Sequence, residues 1–358
     1  MPYSQASMDQ PPGSGNRVTL KEVIRTAACL VVLPLGLIAY AISGKTSSRT
    51  YQAFIWLSCV TGGRSNSLMS WAISRVRPSR PVERPVGVLG DLSQGVCATL
   101  SDQLKRDGYL VFERALPPEV CDRLVEFART TPAKIRRMDG ETAGKADRSA
   151  VFAGENPVAV RYDYQTEDLL NNPEVQGLLA DRSLLSLTQH YLGCQPVADV
   201  LSMWWHTNFH AQPDSEAAQY FHFDMDRIKW LKVFVYLSDV GMDNGPHSFV
   251  VGSHRDGGVP WHLGRKGYSR LSDEEVLAEY GAERCLSVTA PRGSIIVEDT
   301  RGLHKGNAVR GDARLILQLQ FSNSLFGGFY PPAHVSRVQN AEFQSRLKEL
   351  PDVYRQYV

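Results

Sequence analysis

One C-terminal segment, residues 314–321 (RLILQLQF), constrains the fold more than any other part of the sequence. Successive side chains of a β-strand point to opposite faces, so residues two apart share a face. Leucines and a phenylalanine fill one face of this segment, and the other face carries Arg314, Ile316, Gln318 and Gln320. The polar face cannot be exposed to solvent on every strand of a closed barrel, so we expect it to line an interior.

The same division recurs in residues 229–237 (KWLKVFVYL), where Trp230, Lys232, Phe234 and Tyr236 share one face. From about residue 198 onward most segments have strand character and are separated by Gly, Pro and Asn turns. Helical spacing dominates before that point, including one long helix predicted from Glu174 to Leu192, and returns near 271–281. Helices followed by antiparallel strands predict a mainly β fold, a β-sandwich or jelly roll with a helical N-terminal layer.

Composition excludes several classes of protein. The 358 residues include 39 Lys and Arg against 38 Asp and Glu, so no global basic excess recruits the chain to nucleic acid. The six cysteines lie far apart without a CxxC pair, which argues against a disulfide scaffold and a Cys-type zinc finger. One long segment rich in Gly, Lys, Arg and Asp, residues 131–157, is a candidate lid.

The N-terminal quarter differs in composition from the rest of the chain. Residues 1–25 begin with a Ser-, Gly-, Gln- and Pro-rich sequence and are predicted to form a disordered tail. No charged residue lies between Arg25 and Lys45, and this apolar run is just short of the about 20 residues that span a bilayer. We therefore expect a hydrophobic membrane-anchor region over residues 26–74. A spanning helix, a hairpin and a monotopic anchor in the membrane surface all remain open.

Residues 75–90 are predicted to be a basic, Pro-rich linker, in which arginines alternate with prolines in an extended, semi-rigid segment. Together with the basic residues that flank the apolar run, this linker favours a cytoplasmic location for the domain at 91–358. Two alternatives remain open. One is a buried core helix in a soluble cytoplasmic protein, and the other is a mitochondrial transit peptide, because acids are scarce in residues 1–60.

A candidate metal site lies in the β-rich part. His222 and Asp224 are two residues apart on a predicted strand, so their side chains point to the same face and can share one metal ion. His304 follows the predicted strand GSIIVED and can complete a set of two imidazoles and one carboxylate, which leaves open positions for Fe(II) to bind a cosubstrate and O₂. Arg314, on the polar face of the next strand, can pair with a carboxylate inside the barrel.

The order of these motifs resembles the phytanoyl-CoA dioxygenase family of Fe(II)/2-oxoglutarate-dependent oxygenases. The resemblance covers residues 92–335 and leaves 1–90 unexplained. It rests on HFD, NGPHSFVVGSH, GSIIVEDTRGLHKGN and ARLILQLQF, taken in that order, and on the opening segment DQLKRDGYLVFERALPPEVCDRLVEF.

The resemblance implies a double-stranded β-helix (jelly roll, cupin-like) with His222, Asp224 and His304 as the catalytic metal ligands. It implies that Arg314 binds the distal carboxylate of 2-oxoglutarate and that Tyr236 lies in the same cosubstrate pocket. The implied reaction uses O₂ and 2-oxoglutarate, releases succinate and CO₂, and oxidises an unactivated C–H bond. Hydroxylation is the expected outcome, because Asp224 occupies the position that halogenating relatives leave open.

The substrate pocket is less defined by the sequence. Trp204, His206 and Asn208 share one face of a predicted strand, and this face either lines the pocket or forms an outward aromatic patch. His247 stands where the family commonly has an apolar residue, so it either faces the substrate or is incidental. A small-molecule or lipid-like substrate is expected, and the fold does not fix its identity.

Two other functions remain open. A His₂-carboxylate set also binds zinc, so a zinc-dependent hydrolase is the first alternative, although it leaves Arg314 without a role. A catalytically inactive, membrane-tethered binding module is the second, although all four expected residues are present. Asp226 and Arg310 are weaker candidates than Asp224 and Arg314 for the metal and carboxylate roles.

Overall fold

The computed structural model describes residues 18–136, 148–210, 218–264, 267 and 270–357. Its helices, in chain order, are α1 (Leu20–Ser43), α2 (Ser48–Val60), α3 (Arg64–Val76), α4 (Val96–Asp107), α5 (Pro118–Thr130), α6 (Thr166–Leu170), α7 (Pro173–Leu179), α8 (Arg182–Leu192), α9 (Trp261–Gly264), α10 (Asp273–Tyr280) and α11 (Ala341–Glu349). Its strands are β1 (Val86–Gly87), β2 (Gly90–Asp91), β3 (Tyr109–Phe112), β4 (Ala133–Arg136), β5 (Ser149–Ala150), β6 (Arg161–Asp163), β7 (Val197–His206), β8 (Trp230–Tyr236), β9 (His247–Val250), β10 (Cys285–Val288), β11 (Ile295–Glu298), β12 (His304–Gly306) and β13 (Arg314–Ser322).

Two antiparallel sheets face each other in a jelly roll, the double-stranded β-helix expected from the sequence. The large sheet has the order β3-β11-β8-β13-β7-β6-β4-β5, and the small sheet has the order β10-β9-β12. Rings from the two sheets meet between them, as in the pair Phe234 and His247, whose centroids are 4.9 Å apart. The space between the sheets is therefore the interior that the alternating strands predicted.

The alternation in β13 and β8 separates two environments. Leu315, Leu317, Leu319 and Phe321 of β13 pack with the leucines of α4, α5, α7 and α8 in the main hydrophobic core. The opposite face of β13 carries Arg314, Gln318 and Gln320, all buried, toward the small sheet. The prediction of an apolar outer face covered by helices and a polar interior is confirmed.

The helical layer differs from the prediction in one place. The single helix predicted from Glu174 to Leu192 is two helices, α7 and α8, which meet at Asp181. The Asp181 carboxylate accepts a hydrogen bond from the Leu184 backbone N–H at 2.9 Å, so it caps the start of α8 and ends the preceding helix. The middle of the candidate lid, residues 137–147, lies outside the described residues.

The N-terminal quarter contains more structure than the sequence predicted. The tail predicted over residues 1–25 ends sooner, because α1 begins at Leu20, where Thr19 and Glu22 form a reciprocal capping box. Residues 1–17 lie outside the described part of the chain. Within the predicted anchor region, α1 is mostly exposed, whereas α2 is largely buried against the rest of the chain.

Candidate metal and cosubstrate site

Backbone pairing brings the three candidate ligands together. His222 and His304 form an antiparallel bridge in which the His222 N–H donates to the His304 carbonyl at 3.0 Å and the His304 N–H donates back at 2.8 Å. The Asp224 N–H donates to the Thr300 carbonyl at 2.9 Å. These backbone hydrogen bonds place His304 next to His222 and Asp224, although His304 lies far from them in the sequence. The residue pattern suggested this contact but could not establish it.

The donor atoms of His222, Asp224 and His304 lie within 4.8 Å of one another, and all three residues are buried. His222 Nε2 is 3.8 Å from Asp224 Oδ1, and His304 Nε2 is 3.5 Å from Asp224 Oδ2. The predicted set of two imidazoles and one carboxylate therefore converges on one point in the interior, and such a set suits a divalent metal with open positions.

Hydrogen bonds fix the orientation of both imidazoles. Nδ1 of His222 lies 2.9 Å from the Tyr220 carbonyl, and Nδ1 of His304 lies 2.9 Å from the Gly302 carbonyl. A carbonyl can only accept, so each Nδ1 carries the proton and each Nε2 presents its lone pair. Such outer hydrogen bonds are the usual way in which metal-binding histidines are held.

Electrostatics keeps the ligands in their metal-binding protonation states. Burial lowers the pKa of His222 to about 4 and that of His304 to about 3, so both rings are neutral at pH 7. Burial alone would raise the pKa of Asp224, but Lys232 and the two imidazoles outweigh it and hold this pKa well below its usual range. The carboxylate is therefore charged, and all three donors are available without losing a proton.

Lys232 is a site residue that the sequence placed on the interior face without assigning it a role. Its Nζ donates to Asp224 Oδ2 at 2.5 Å and lies 3.9 Å from Asp226 Oδ2. Burial and the neighbouring Asp224 charge raise the pKa of Asp226, which does not belong to the converging donor set. Asp224 rather than Asp226 is thus the carboxylate ligand that the geometry favours.

Arg314 lies at the other end of the same interior. It is 1% exposed, and its Nη2 donates to Nδ1 of His206 at 2.8 Å. Its Nε and Nη1 have no hydrogen-bond partner among the described residues. Buried guanidinium groups are normally paired, so these unpartnered N–H groups fit a carboxylate that enters the interior.

His206 serves as the acceptor for Arg314. Burial and the charge of Arg314 hold the pKa of His206 well below its ordinary value, so the ring stays neutral and Nδ1 keeps its lone pair. Burial lowers the pKa of Arg314 to about 10, so the guanidinium remains charged at pH 7. Space around it is limited, because a Cβ added at Gly306 would lie 3.2 Å from Arg314 Nη2.

The remaining predicted pocket residues divide into two groups. Trp204 packs with Phe234, Tyr236 and Ile316 in an apolar cluster between the sheets, so its face of β7 points inward. Asn208 does not line the interior and is exposed, which corrects that expectation. The reason is a turn after β7, where the Thr207 hydroxyl donates to the Ala159 carbonyl at 2.6 Å.

Tyr236 lies in the interior, but its hydroxyl is already engaged. It donates to the Val288 carbonyl at 3.0 Å and accepts from the His247 backbone N–H at 3.0 Å. The ring therefore lines the pocket while the hydroxyl joins the two sheets. A direct hydrogen bond from Tyr236 to a cosubstrate remains a prediction.

His247 faces the interior, next to an acid that the sequence reasoning missed. Its Nε2 lies 2.6 Å from Oε2 of Glu298, which is fully buried, and its ring centroid is 5.7 Å from that of His304. Strand alternation could have found Glu298, because it shares the inward face of β11 with Ile296. The signal for Glu298 was an acidic residue on the inward face of a buried strand. The corresponding signal for Lys232 was its position on the polar face of β8.

One family of known proteins matches most of the chain. The family model for phytanoyl-CoA dioxygenase (PhyH) matches residues 104–315, which is more than half of the chain and includes the three candidate ligands and Arg314. No curated protein matches the sequence.

Several solved structures are similar to the chain at low identity. The epimerase SnoN in complex with Fe³⁺, alpha ketoglutarate and nogalamycin RO is 16% identical, with a TM-score of 0.46 over 64% of this chain and 84% of that one. EctD from S. alaskensis with bound Fe is 19% identical, with a TM-score of 0.43 over 74% and 92% of the two chains. HygX from Streptomyces hygroscopicus with nickel and 2-oxoglutarate bound is 15% identical, with a TM-score of 0.40 over 68% and 93%.

Proposed function

The chain belongs to the phytanoyl-CoA dioxygenase family, and from this premise we propose that it is a non-haem dioxygenase that uses Fe(II), 2-oxoglutarate and O₂ to hydroxylate an unactivated C–H bond. One observation carries the proposal. The converging donors of His222, Asp224 and His304 share a buried interior with the unpartnered N–H groups of Arg314. A zinc hydrolase would need the first feature but not the second.

Each residue has a definite task in this proposal. His222 and His304 present Nε2 to the metal, because their Nδ1 protons are held by backbone carbonyls. Asp224 supplies the anionic ligand, and Lys232 fixes one of its oxygens. When bound, Fe(II), 2-oxoglutarate and O₂ supply the oxidant for C–H cleavage, with release of succinate and CO₂.

Arg314 binds the distal carboxylate of 2-oxoglutarate and therefore sets the orientation of the cosubstrate. His206 holds the guanidinium in place, and Gly306 leaves room beside it. Trp204, Phe234 and Ile316 form the apolar wall next to Arg314, which excludes water from the interior. His247 and Glu298 add a polar pair on the side toward His304.

The substrate is a small molecule or a lipid-like compound, and the protein associates with a membrane through residues 26–74, with its catalytic domain on the cytoplasmic side. Helix α1 supports this location, because it has a mean hydropathy of 2.1 over an 18-residue window of which 11% is buried. Basic residues flank the apolar run, which favours the cytoplasmic side. A hydrophobic or membrane-borne substrate suits such a location.

Anaerobic binding to the full-length protein tests the dioxygenase assignment. Fe(II) and 2-oxoglutarate are added together, and visible absorption is recorded for the wild type and for His304→Ala, Arg314→Ala and Arg310→Ala. Arg310 is exposed and serves as the matched control for Arg314. We expect a weak metal-to-ligand charge-transfer band in the wild type and in Arg310→Ala, and its loss in the other two variants.

The outcomes separate the possible functions. No band in a folded, Fe(II)-loaded wild type would overturn the dioxygenase proposal. Tight zinc binding with no dependence on Arg314 would favour the hydrolase, and the absence of any metal binding would favour a binding module. Circular dichroism of each variant distinguishes loss of the site from loss of the fold.

A further inference from the structure

Helix α1 is attached to the domain along its length rather than at one end. The Thr26 hydroxyl accepts a hydrogen bond from Trp56 Nε1 of α2 at 3.0 Å, and the Tyr40 ring packs edge-on against Phe326 at 5.3 Å. At a rise of about 1.5 Å per residue, these two contacts are about 21 Å apart along the helix. Cys29, Leu33 and Gly36 between them are buried.

The packing of α1 on α2 is close and specific. A Cβ added at Gly36 would lie 2.1 Å from Thr50 Cγ2 of α2, so no other residue allows the two backbones to approach this far. The Arg25 guanidinium lies 3.9 Å from the centroid of the Trp56 ring. The two helices therefore form one packed layer.

The other side of α2 rests on the Phe221–Met225 segment, which carries the candidate metal ligands His222 and Asp224. Phe54 packs against Phe326 at 5.7 Å, and the Ser58 hydroxyl contacts the Met225 sulfur at 3.7 Å. Phe221, Phe223 and Met225 alternate with the ligands His222 and Asp224 and belong to the same hydrophobic cluster as α2. The helical layer thus lies directly behind the metal site.

The outward face of α1 is apolar over the whole helix. Eight large apolar side chains, each more than half exposed, lie opposite the packed face: Leu20, Val23, Ile24, Leu30, Val31, Leu35, Ile38 and Ile42. Lys21 and Arg25 lie near one end of the helix, and Lys45 and Arg49 follow the other end. Glu22 is the one acid between residues 18 and 82, and it is engaged in the capping box.

A spanning orientation conflicts with this packing. The hydrocarbon core of a bilayer is about 30 Å thick, so a spanning α1 would draw α2 and the adjoining loops of the domain into lipid. The irregular loop at Asp226 adjoins α2, and the Gly328 N–H donates to the Asp226 carbonyl there. The exposed His262 and the nearby Glu279 lie beside Trp261, which packs against Trp56 of α2. Charged groups and irregular backbone are costly in the hydrocarbon core, whereas a helix in the interfacial plane buries only its apolar face.

We propose that α1 lies in the plane of an anionic membrane surface as a monotopic anchor, with its outward apolar face in the lipid and its basic ends among the headgroups. This inference rests on the proposed membrane association and not on the proposed oxygenase activity. In this orientation only the α1–α2 layer lies between the lipid and the Phe221–Met225 segment. The thickness of this layer therefore sets the distance from the lipid to the metal site.

Vesicle binding by the full-length protein tests the apolar face. Phosphatidylcholine vesicles with and without phosphatidylserine are sedimented with the wild type, with Leu35→Glu/Ile38→Glu and with Met242→Glu, a control at an exposed apolar residue outside α1. We expect salt-sensitive binding of the wild type to the anionic vesicles, at least a tenfold loss in the double variant and no change in the control.

Labelling from outside the vesicle tests the orientation. Thr19→Cys and Ser43→Cys, at the two ends of α1, are added to preformed anionic vesicles and treated with a membrane-impermeant maleimide, with the parent chain as the background. We expect both ends to be labelled equally in the in-plane orientation. Protection of the Thr19 end alone would mean that α1 spans the bilayer and would overturn this inference while leaving membrane association intact.

Two further outcomes overturn the proposal in different ways. If the wild type binds no vesicles and the double variant converts a dimer to a monomer, the outward face is a subunit interface. If the wild type binds no vesicles and is monomeric throughout, membrane association itself fails. Succinate formation by the same preparations is recorded separately, so either failure is distinguishable from a failure of the oxygenase assignment.

Discussion

At the scale of single residues, Lys232 is the group that balances the charge of Asp224 before a metal ion binds. Its ammonium lies 2.5 Å from Asp224 Oδ2, and both side chains are buried. Removing one partner of a buried ion pair costs about 3–5 kcal/mol because the remaining charge is uncompensated. We therefore expect Lys232→Met to lower the thermal stability of the metal-free protein strongly.

A divalent ion restores the lost positive charge, so added Mn²⁺ should raise the melting temperature of Lys232→Met more than that of the wild type. Differential scanning fluorimetry with and without the metal measures this difference. Lys305→Met is the matched control, because Lys305 is also buried but pairs with the more exposed Asp273. Equal metal-induced shifts in Lys232→Met and Lys305→Met would contradict the assigned role.

His206 is expected to act on cosubstrate binding and not on metal binding. Its neutral Nδ1 orients Arg314, and hydrogen bonds to charged groups contribute about 1.5–3 kcal/mol. His206→Phe should therefore raise KM for 2-oxoglutarate about tenfold or more. Because the amide oxygen of asparagine can replace Nδ1 as an acceptor, His206→Asn should recover much of the loss.

Kinetics at varied 2-oxoglutarate and equilibrium metal titration separate these effects. A positioning role for His206 predicts a changed KM with an unchanged metal affinity in both variants. Loss of metal affinity in parallel with the change in KM would instead indicate a general collapse of the interior.

At the scale of secondary-structure elements, the junction of α7 and α8 depends on Asp181. Its carboxylate accepts from the N–H groups of Leu184 and Val88 at 2.9 Å and from the Ser183 hydroxyl at 2.5 Å. Loss of an N-cap typically costs about 1 kcal/mol, and the bond to Val88 adds to this cost. Asp181→Ala should lower the free energy of unfolding by about 1–3 kcal/mol.

Urea denaturation of the metal-free protein measures this change, and Asp168→Ala in the first turn of α6 is the control, because Asp168 is exposed and caps no helix. The charge-transfer band should be unchanged in both variants. A loss of less than 0.5 kcal/mol in Asp181→Ala, about the size of an ordinary surface effect, would show that the helices meet here for another reason.

Strand alternation predicted the β-rich elements better than helical spacing predicted the helices. Successive residues of β13 face two different buried environments, one polar and one apolar. Position along the strand therefore distinguishes Arg314 from Leu315. The junction at Asp181 depends on one side chain, whose carboxylate caps the start of α8. The spacing of apolar residues does not predict such a cap. Asn208 failed for a similar reason, since a turn at Thr207 ends the alternation.

At the scale of the whole molecule, the sequence could not predict how the N-terminal quarter is placed. Apolar composition identified α1, but the same composition suits a spanning helix, an in-plane helix and a core helix. The close approach of Gly36 to Thr50, which packs α1 against α2, becomes visible only in the folded chain. Lys232 and Glu298 are similar cases, because their partners Asp224 and His247 lie on other segments of the chain. The spacing of residues along the sequence does not show which segments become neighbours in the fold.

The stability of the whole metal-free fold should depend on pH through its buried imidazoles. The pKa values of His222 and His304 are lowered by burial to about 4 and about 3, and that of His206 is also held well below its ordinary value. In the unfolded chain each returns to about 6.5. As the pH falls, the unfolded state therefore binds protons before the folded state does. The stability that the neutral imidazoles contribute is complete above about pH 6.5 and is lost as the pH falls toward 4.

Urea unfolding of the metal-free protein at pH 7.5, 6.5, 5.5 and 5.0 measures this dependence. Each of the three imidazoles should contribute a slope of up to about 1.4 kcal/mol per pH unit below pH 6.5. His222→Gln removes one of these groups, so its slope should be shallower by that amount, whereas His190→Gln, at an exposed position on α8, should keep the wild-type slope. Identical slopes for the wild type and His222→Gln would mean that His222 is not held neutral by burial. The metal-binding interior would then be wetter than its packing indicates, and the same measurement would weaken the argument that all three ligands bind metal at pH 7 without losing a proton.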